Sequence, residues 1–225
     1  MASAPDPHRP SVPPGDPAPD MPGDVPVDPR RFAPATERNR APILAVLTRV
    51  LPPAGRVLEI ASGTGEHAVY FGRHLPHLTW QPTDLDGAAR ASIVAWTAEA
   101  GLGNVLPPLA LDAALPNWPI DRADAVVAIN MVHIAPWAAA VGLVAGAARI
   151  LDAGAPLVLY GPFKRDGRHT APSNEAFDQN LRRQDPAWGV RDLETVVATA
   201  DAAGLALAET AEMPANNLSL VFRRQ

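Results

Sequence analysis

Residues 56–68 constrain the chain most. Arg56-Val57-Leu58-Glu59-Ile60 is a short apolar run, followed by Ala61-Ser62-Gly63-Thr64-Gly65 and then a stretch of helical character from Glu66 to His74. A buried strand that passes through two closely spaced glycines into a helix is the opening unit of an open α/β sheet. The glycines let the backbone turn sharply and lie close to a ligand. An ordinary βα turn using glycine for positive φ reads the same way, so the turn locates a candidate pocket without naming its occupant.

The rest of the chain supplies the sheet that such a unit needs. Helical spacing runs from Ala41 to Leu51 and stops at Pro52-Pro53. Strands are predicted at Leu78–Gln81 running into Asp84, at Val105–Leu111 running into Asp112, at Ala123–Ile129 and at Pro156–Tyr160. Helices are expected over Gly87–Ala100, Ala138–Leu151 and Leu193–Ala203. The chain closes with two strand-like runs, Leu205–Thr210 and Leu218–Phe222. Strands alternating with helices specify a parallel sheet covered on both faces, and two final strands without a helix between them specify an antiparallel hairpin.

Composition limits the alternatives. The 225 residues suit one domain, and the 47% apolar fraction suffices for a sizeable core. A net charge of −5 disfavours nucleic acid as a partner, and there is no cysteine for disulfides, thiolate metal sites or a cysteine nucleophile. No apolar run approaches the ~20 residues that span a bilayer, nor is there a signal-peptide pattern, so a cytoplasmic protein without membrane contact is expected. Residues 1–30 are one-third proline and are expected to form a disordered tail, with the domain occupying 31–225.

In such a sheet the ligand lies beyond the carboxyl ends of the strands. Those ends carry Glu59 with Gly63 and Gly65, then Asp84, Asp112 and Asn130. Gly63-Thr64-Gly65-Glu66-His67-Ala68 also satisfies a dinucleotide pattern, with Asp84 about twenty residues on. Glu59 argues against a pyrophosphate, because its charge suits a cationic ligand such as S-adenosylmethionine (SAM), which carries an ammonium and a sulfonium. Asp84, with Asp86 as rival, can accept from both ribose hydroxyls. Asp112 is expected at the adenine amine. His133 is the candidate general base, although a structural histidine fits as well, and His67 reads as structural or supporting. His74 and His77 lack the companions of a metal site, so no metal is expected.

Several stretches resemble class I SAM-dependent methyltransferases, and more specifically the methyltransferase-like protein 26 family. They are Phe32-Ala33-Pro34-Ala35-Thr36-Glu37-Arg38-Asn39, Val57–His67, Trp80-Gln81-Pro82-Thr83-Asp84 and Asn130–Trp137. Tyr160-Gly161-Pro162-Phe163, Ser173-Asn174, Phe177-Asp178, Asp185–Asp192 and Met213–Asn217 continue the match. The resemblance implies a Rossmann-like methyl-transfer fold with strand order 3-2-1-4-5-7-6 and little about substrate; taken with the strand-end residues, a SAM-dependent methyltransferase acting on a small molecule is expected.

Arg38 and Asn39 are expected either to cap the first helix or to fold over the cofactor. Residues 161–192 form an expected substrate lid, or else pack at the sheet edge. Asn174, Trp188 and Arg191 from this stretch, with Asn216 and Asn217 from the last loop, are the candidate substrate contacts. A SAM-binding scaffold without transferase activity and a nicotinamide-dependent oxidoreductase are the alternatives.

Overall fold

The computed structural model describes residues 28–225, so the proline-rich tail lies, up to residue 27, outside the described residues. The elements alternate as the apolar pattern requires: α1 (Pro34–Val50), β1 (Gly55–Ile60), α2 (Glu66–His74), β2 (Leu78–Asp84), α3 (Gly87–Ala100), β3 (Leu109–Ala110), β4 (Ala125–Ile129), α4 (Trp137–Ile150) and β5 (Pro156–Gly161). A two-residue ladder, β6 (Lys164–Arg165) with β7 (Arg168–His169), precedes α5 (Pro172–Gln184), α6 (Leu193–Ala202), β8 (Leu205–Met213) and β9 (Asn217–Arg224).

Seven strands form one sheet in the order β3-β2-β1-β4-β5-β9-β8. The first five run parallel; β9 is antiparallel to both β5 and β8. Counted within that sheet alone, the order is the 3-2-1-4-5-7-6 that the resemblance implies. The difference is the separate β6/β7 ladder, which that scheme lacks.

Alternate residues of the central strands enter opposite layers. Leu58, Val126, Ala128, Leu157 and Leu159 pack with Leu143 and Ala147 of α4 and Ala200 of α6. Val57, Ala125, Val127 and Val158 pack with Ile43 and Leu47 of α1 and Phe71 of α2. Both layers hold the strand ends β1, β2 and β4 in register, with Glu59 opposite Pro82 on one side and Val127 on the other. Among the described residues, no helix is long and apolar enough to cross a membrane.

Four elements differ from the sequence reading. Helix α1 begins at Pro34, not near Ala41; Pro34 and Pro42 both suit a helix start, and the fold uses the first while tolerating the second inside. Arg38 and Asn39 therefore lie within the helix rather than before it. The third strand shrinks to Leu109–Ala110, with Val105 making only an isolated bridge to Trp80, because Pro107-Pro108 remove two ladder donors. Ordered chain is present already at residue 28: Arg30 stacks over Trp96 at 5.3 Å, and the Trp96 indole donates to the Arg31 carbonyl. Finally, the 161–192 connection contains a full helix, α5. Its buried positions, Asn174, Asp178 and Leu181, have helical spacing, but two of the three are polar, so apolar periodicity does not show it.

Candidate functional site

The turn after β1 is pinned to β2. The Ser62 amide donates to the Thr83 carbonyl at 2.8 Å, and the Gly63 amide donates to Asp84 Oδ2 at 2.9 Å. Gly63 (φ 59°) faces a cavity, whereas Gly65 (φ 91°) does not line it. Gly65 is needed for packing: a Cβ there would lie 2.8 Å from Ile93 Cα of α3. Gly65→Ala therefore meets a left-handed backbone and a backbone clash together, and is expected to cost about 2–4 kcal/mol. Chemical denaturation of the variant checks this; unchanged stability would remove Gly65 from the account.

The cavity beside the turn has a volume of ≈ 780 Å³ and contains Glu59, Gly63, Asp84 and Asn130 from the strand ends, with Trp188 from the insertion. Arg31, Ala33, Ala35, Thr36 and Asn39 bring the entry segment and α1 across it. Three carboxylates line it, Glu59, Asp84 and Asp86, against one guanidinium, Arg31, which is already bonded to Asp86 at 2.7 Å. Asp86 also caps α3, accepting from the Ala88 amide. Burial pushes the Glu59 carboxyl up to about 7, opposed by the bond it accepts from the Trp80 indole at 2.9 Å. Burial, reinforced by the charge of Arg40, pulls His67 down to about 4, so its imidazole is neutral at pH 7.

A second cavity of ≈ 450 Å³ adjoins the first. Ala35, Asn39 and Asn130 border both, forming the passage between them. Arg38, Tyr160, Ser173, Asn174, Phe177 and Asn217 complete its polar and aromatic lining, and no carboxylate residue is among its walls. Asn39 links the two sides: His67 Nε2 lies 2.8 Å from Asn39 Oδ1, and Asn39 lines the second cavity together with Tyr160. Burial raises the Tyr160 phenol above its ordinary value.

The insertion over this cavity is tied together by Asp178, whose side chain is 8% exposed. Asp178 Oδ1 accepts from the Val190 amide at 2.7 Å and from Arg182 Nε at 3.2 Å. Lys164 Nζ stands 3.4 Å and His169 Nε2 3.3 Å from Oδ2. Four separate pieces of residues 161–192 thus converge on one carboxylate.

The structure brings Glu59, Gly63, Asp84, Asn130, Asn39 and Trp188 to the larger cavity, and Arg38, Asn39, Asn174 and Asn217 to the smaller. Others are placed differently. Asp112 lies outside both linings and caps a turn, accepting from the Ala114 amide at 2.9 Å. Arg38 leaves the cofactor side and faces the second cavity.

Arg191 is a latch: its guanidinium donates to the carbonyls of Val132, Ala135 and Ala187. Asn216 contributes its carbonyl, which accepts from Asn174 Nδ2 at 2.9 Å, while Asn217 Nδ2 donates to Pro214 and Ala215.

His133 is sealed at 0% exposure and lines neither cavity. Its Nδ1 accepts from the Arg191 amide at 3.2 Å, and a Cβ on Gly161 would meet Nε2 at 2.4 Å. Burial, with the charge of Arg191, pulls it down to about 3. So placed, it opens to neither cavity and has the surroundings of the structural histidine rather than of the base. Among the described residues no three His, Asp or Glu side chains form a metal-holding group.

Sequence reasoning does not name Tyr160 as a site residue, although it lies one residue before the end of β5 beside Asn130, whose amide donates to its carbonyl at 2.7 Å. The strand-end rule, applied to the fifth strand as to the first four, finds it.

A family model described as "Protein of unknown function (DUF938)" matches residues 30–224. Among solved structures the chain resembles an O-methyltransferase family protein from Burkholderia thailandensis, with TM-score 0.74 and 21% identity, over 85% of this chain and 57% of that one. Mitomycin 7-O-methyltransferase MmcR gives TM-score 0.72 at 15% identity, over 85% and 54%. The O-methyltransferase NcsB1 from neocarzinostatin biosynthesis, solved with S-adenosylmethionine and 2-hydroxy-5-methyl naphthoic acid, gives 0.69 at 15%, over 85% and 55%. The chain spans little more than half the length of these proteins, and the likeness is one of fold.

Proposed function

Because the chain belongs to the DUF938 family and carries its ligand cavity at the strand ends of a methyltransferase-like fold, we propose that it is a SAM-dependent methyltransferase acting on a small molecule. The observation that carries this reading is the charge of the larger cavity, where carboxylates outnumber the single, already paired guanidinium. A pyrophosphate would be repelled there; an ammonium and a sulfonium are attracted. The fold neighbours include complexes named for SAM and for a small aromatic acid, which supports the same assignment. Within the family, we read the motifs at 32–39, 57–67 and 130–137 as kinship with methyltransferase-like protein 26.

In this reading the ribose hydroxyls donate to Asp84, and the methionyl ammonium lies toward Glu59. Leu85 and Ile134, both exposed in the free protein, cover the adenine. Asn39 and Asn130, at the passage, would lie beside the group to be transferred, and the residues of the second cavity would hold the acceptor. The acceptor's lone pair forms the new bond to the methyl carbon as the carbon–sulfur pair returns to sulfur, giving a neutral thioether. Alignment and exclusion of water supply most of the rate, so no metal is required.

The test is calorimetric titration of the full chain with SAM, S-adenosylhomocysteine and NAD. SAM and S-adenosylhomocysteine are expected to bind and NAD not; the reverse order would favour the oxidoreductase reading. A pH dependence follows. Glu59 is ionised only above about 7 in the free protein, so affinity for the cationic ligand is expected to rise between pH 6 and pH 8. The opposite trend holds for stability: the folded value lies above the unfolded one, so the contribution of Glu59 is fully present below about 4.5 and is lost as pH rises through about 7. Glu59→Gln should flatten the binding profile; an equally steep profile in that variant would assign the effect elsewhere.

A further inference from the structure

The two cavities have opposite character. The larger is lined by acids; the smaller contains the guanidinium of Arg38 and no carboxylate. Among the described residues Arg38 has no ion-pair or hydrogen-bond partner, although it is exposed at the cavity wall. Other arginines near the site, Arg31, Arg182 and Arg191, are all engaged.

The neighbouring groups are oriented as donors. Neutral His67 donates through Nε2 to Asn39 Oδ1, which leaves the Asn39 amide N–H groups as donors beside the Tyr160 phenol, and both residues line this cavity. The N-terminal turn of α5, with Ser173 and Asn174, faces the same space. A cation, a phenol and a helix N-terminus line one volume of ≈ 450 Å³, within the range of small-molecule sites.

The chemistry points the same way. His133 is sealed away, His67 is committed to Asn39, and burial raises the Tyr160 phenol and so keeps it protonated, so no side chain lining the second cavity is placed to remove a proton. An acceptor that arrives deprotonated needs none removed.

We propose that the acceptor is a small molecule whose nucleophile is an anionic oxygen, paired with Arg38 and hydrogen-bonded by Tyr160. This rests on the reading that the larger cavity holds SAM. The oxygen lone pair attacks the methyl carbon, the carbon–sulfur bond breaks toward sulfur, and the product oxygen is neutral. Methylation thereby cancels the ion pair with Arg38, which favours release of the product.

The experiment uses the full chain and its Arg38→Gln variant. A metabolite extract is split on a quaternary-ammonium resin at pH 7 into retained and unretained fractions. Each fraction is then incubated with methyl-labelled SAM, and S-adenosylhomocysteine binding is measured in parallel. Label is expected only in products of the retained fraction. Arg38→Gln should lower that transfer on the order of 10- to 100-fold through KM, with Arg38→Lys partly restoring it, while S-adenosylhomocysteine binds all three proteins alike. Label released as methanol by mild alkali identifies a carboxylate acceptor; alkali-stable label identifies a phenolate. Transfer into the unretained fraction, transfer indifferent to Arg38→Gln, or no transfer despite bound S-adenosylhomocysteine overturns the proposal. Failure of S-adenosylhomocysteine to bind at all would instead strike the cofactor reading.

Discussion

Asp84→Ala is expected to weaken S-adenosylhomocysteine binding on the order of 100- to 1000-fold. The ligand loses two hydrogen bonds to a charged group, each worth about 1.5–3 kcal/mol. The turn loses more, because Asp84 Oδ2 accepts from the Gly63 amide and Oδ1 from the Asp86 amide, both at 2.9 Å. Removing the carboxylate leaves the glycine turn and the start of α3 without their common acceptor. Asp84→Asn is not a mild control, since an amide has a single oxygen and would present its NH₂ group to one of these two donors. Asp112→Ala is the useful control: it lies outside both cavities and should leave affinity within about twofold, because its side chain serves its own turn and lines neither space. Calorimetric titration of the three proteins decides the matter. An Asp84→Ala protein that binds like the parent would mean the ribose is held elsewhere.

Asp178→Ala is expected to loosen the whole insertion between β5 and α6. The side chain is buried, and its removal leaves Lys164 and Arg182 facing one another without the charge between them. Arg182 is half exposed and screened by solvent, so the main loss is the acceptor of the buried Val190 amide, about 1–3 kcal/mol. Burial alone would raise the Asp178 carboxyl, but the Val190 amide, Arg182 and Lys164 outweigh it and hold it below the ordinary carboxylate range. The contribution is therefore present above pH 4 and lost only as pH falls below that value. Lys164, the chain's only lysine, gives a clean measurement. Its side chain is 20% exposed beside Asp178, so amine acylation should be slow in the parent and markedly faster in Asp178→Ala. Acylation at equal rates would show that the insertion does not depend on this hub.

The sheet was legible in the sequence because its strands are buried on both faces and read as apolar runs, as in Ala125–Ile129. The turn at Gly63 and Gly65 and the strand-end acids were legible for the same reason: strand ends are fixed once the strands are found. Helix α5 was not, because polar side chains occupy the buried positions Asn174 and Asp178, and only tertiary structure supplies their partners. Nor was the fate of His133. Its position three residues past Asn130 is compatible with a base, but the close approach of Gly161 and the latch formed by Arg191 seal it in. Asp112 and Arg38 are placed by where their elements end and begin: Asp112 follows a strand of only two residues and lines neither cavity, and Arg38, on a helix begun at Pro34, lines the second cavity.

The central claim is that two cavities of opposite charge, joined at Asn39 and Asn130, receive the cofactor and the acceptor respectively. A crystal structure of the chain soaked with S-adenosylhomocysteine tests it most directly. Ribose density is expected within hydrogen-bonding distance of Asp84, with the ligand's ammonium toward Glu59 and its sulfur at the passage beside Asn39. Ligand density in the Arg38 cavity, or a sulfur directed away from that passage, would contradict it.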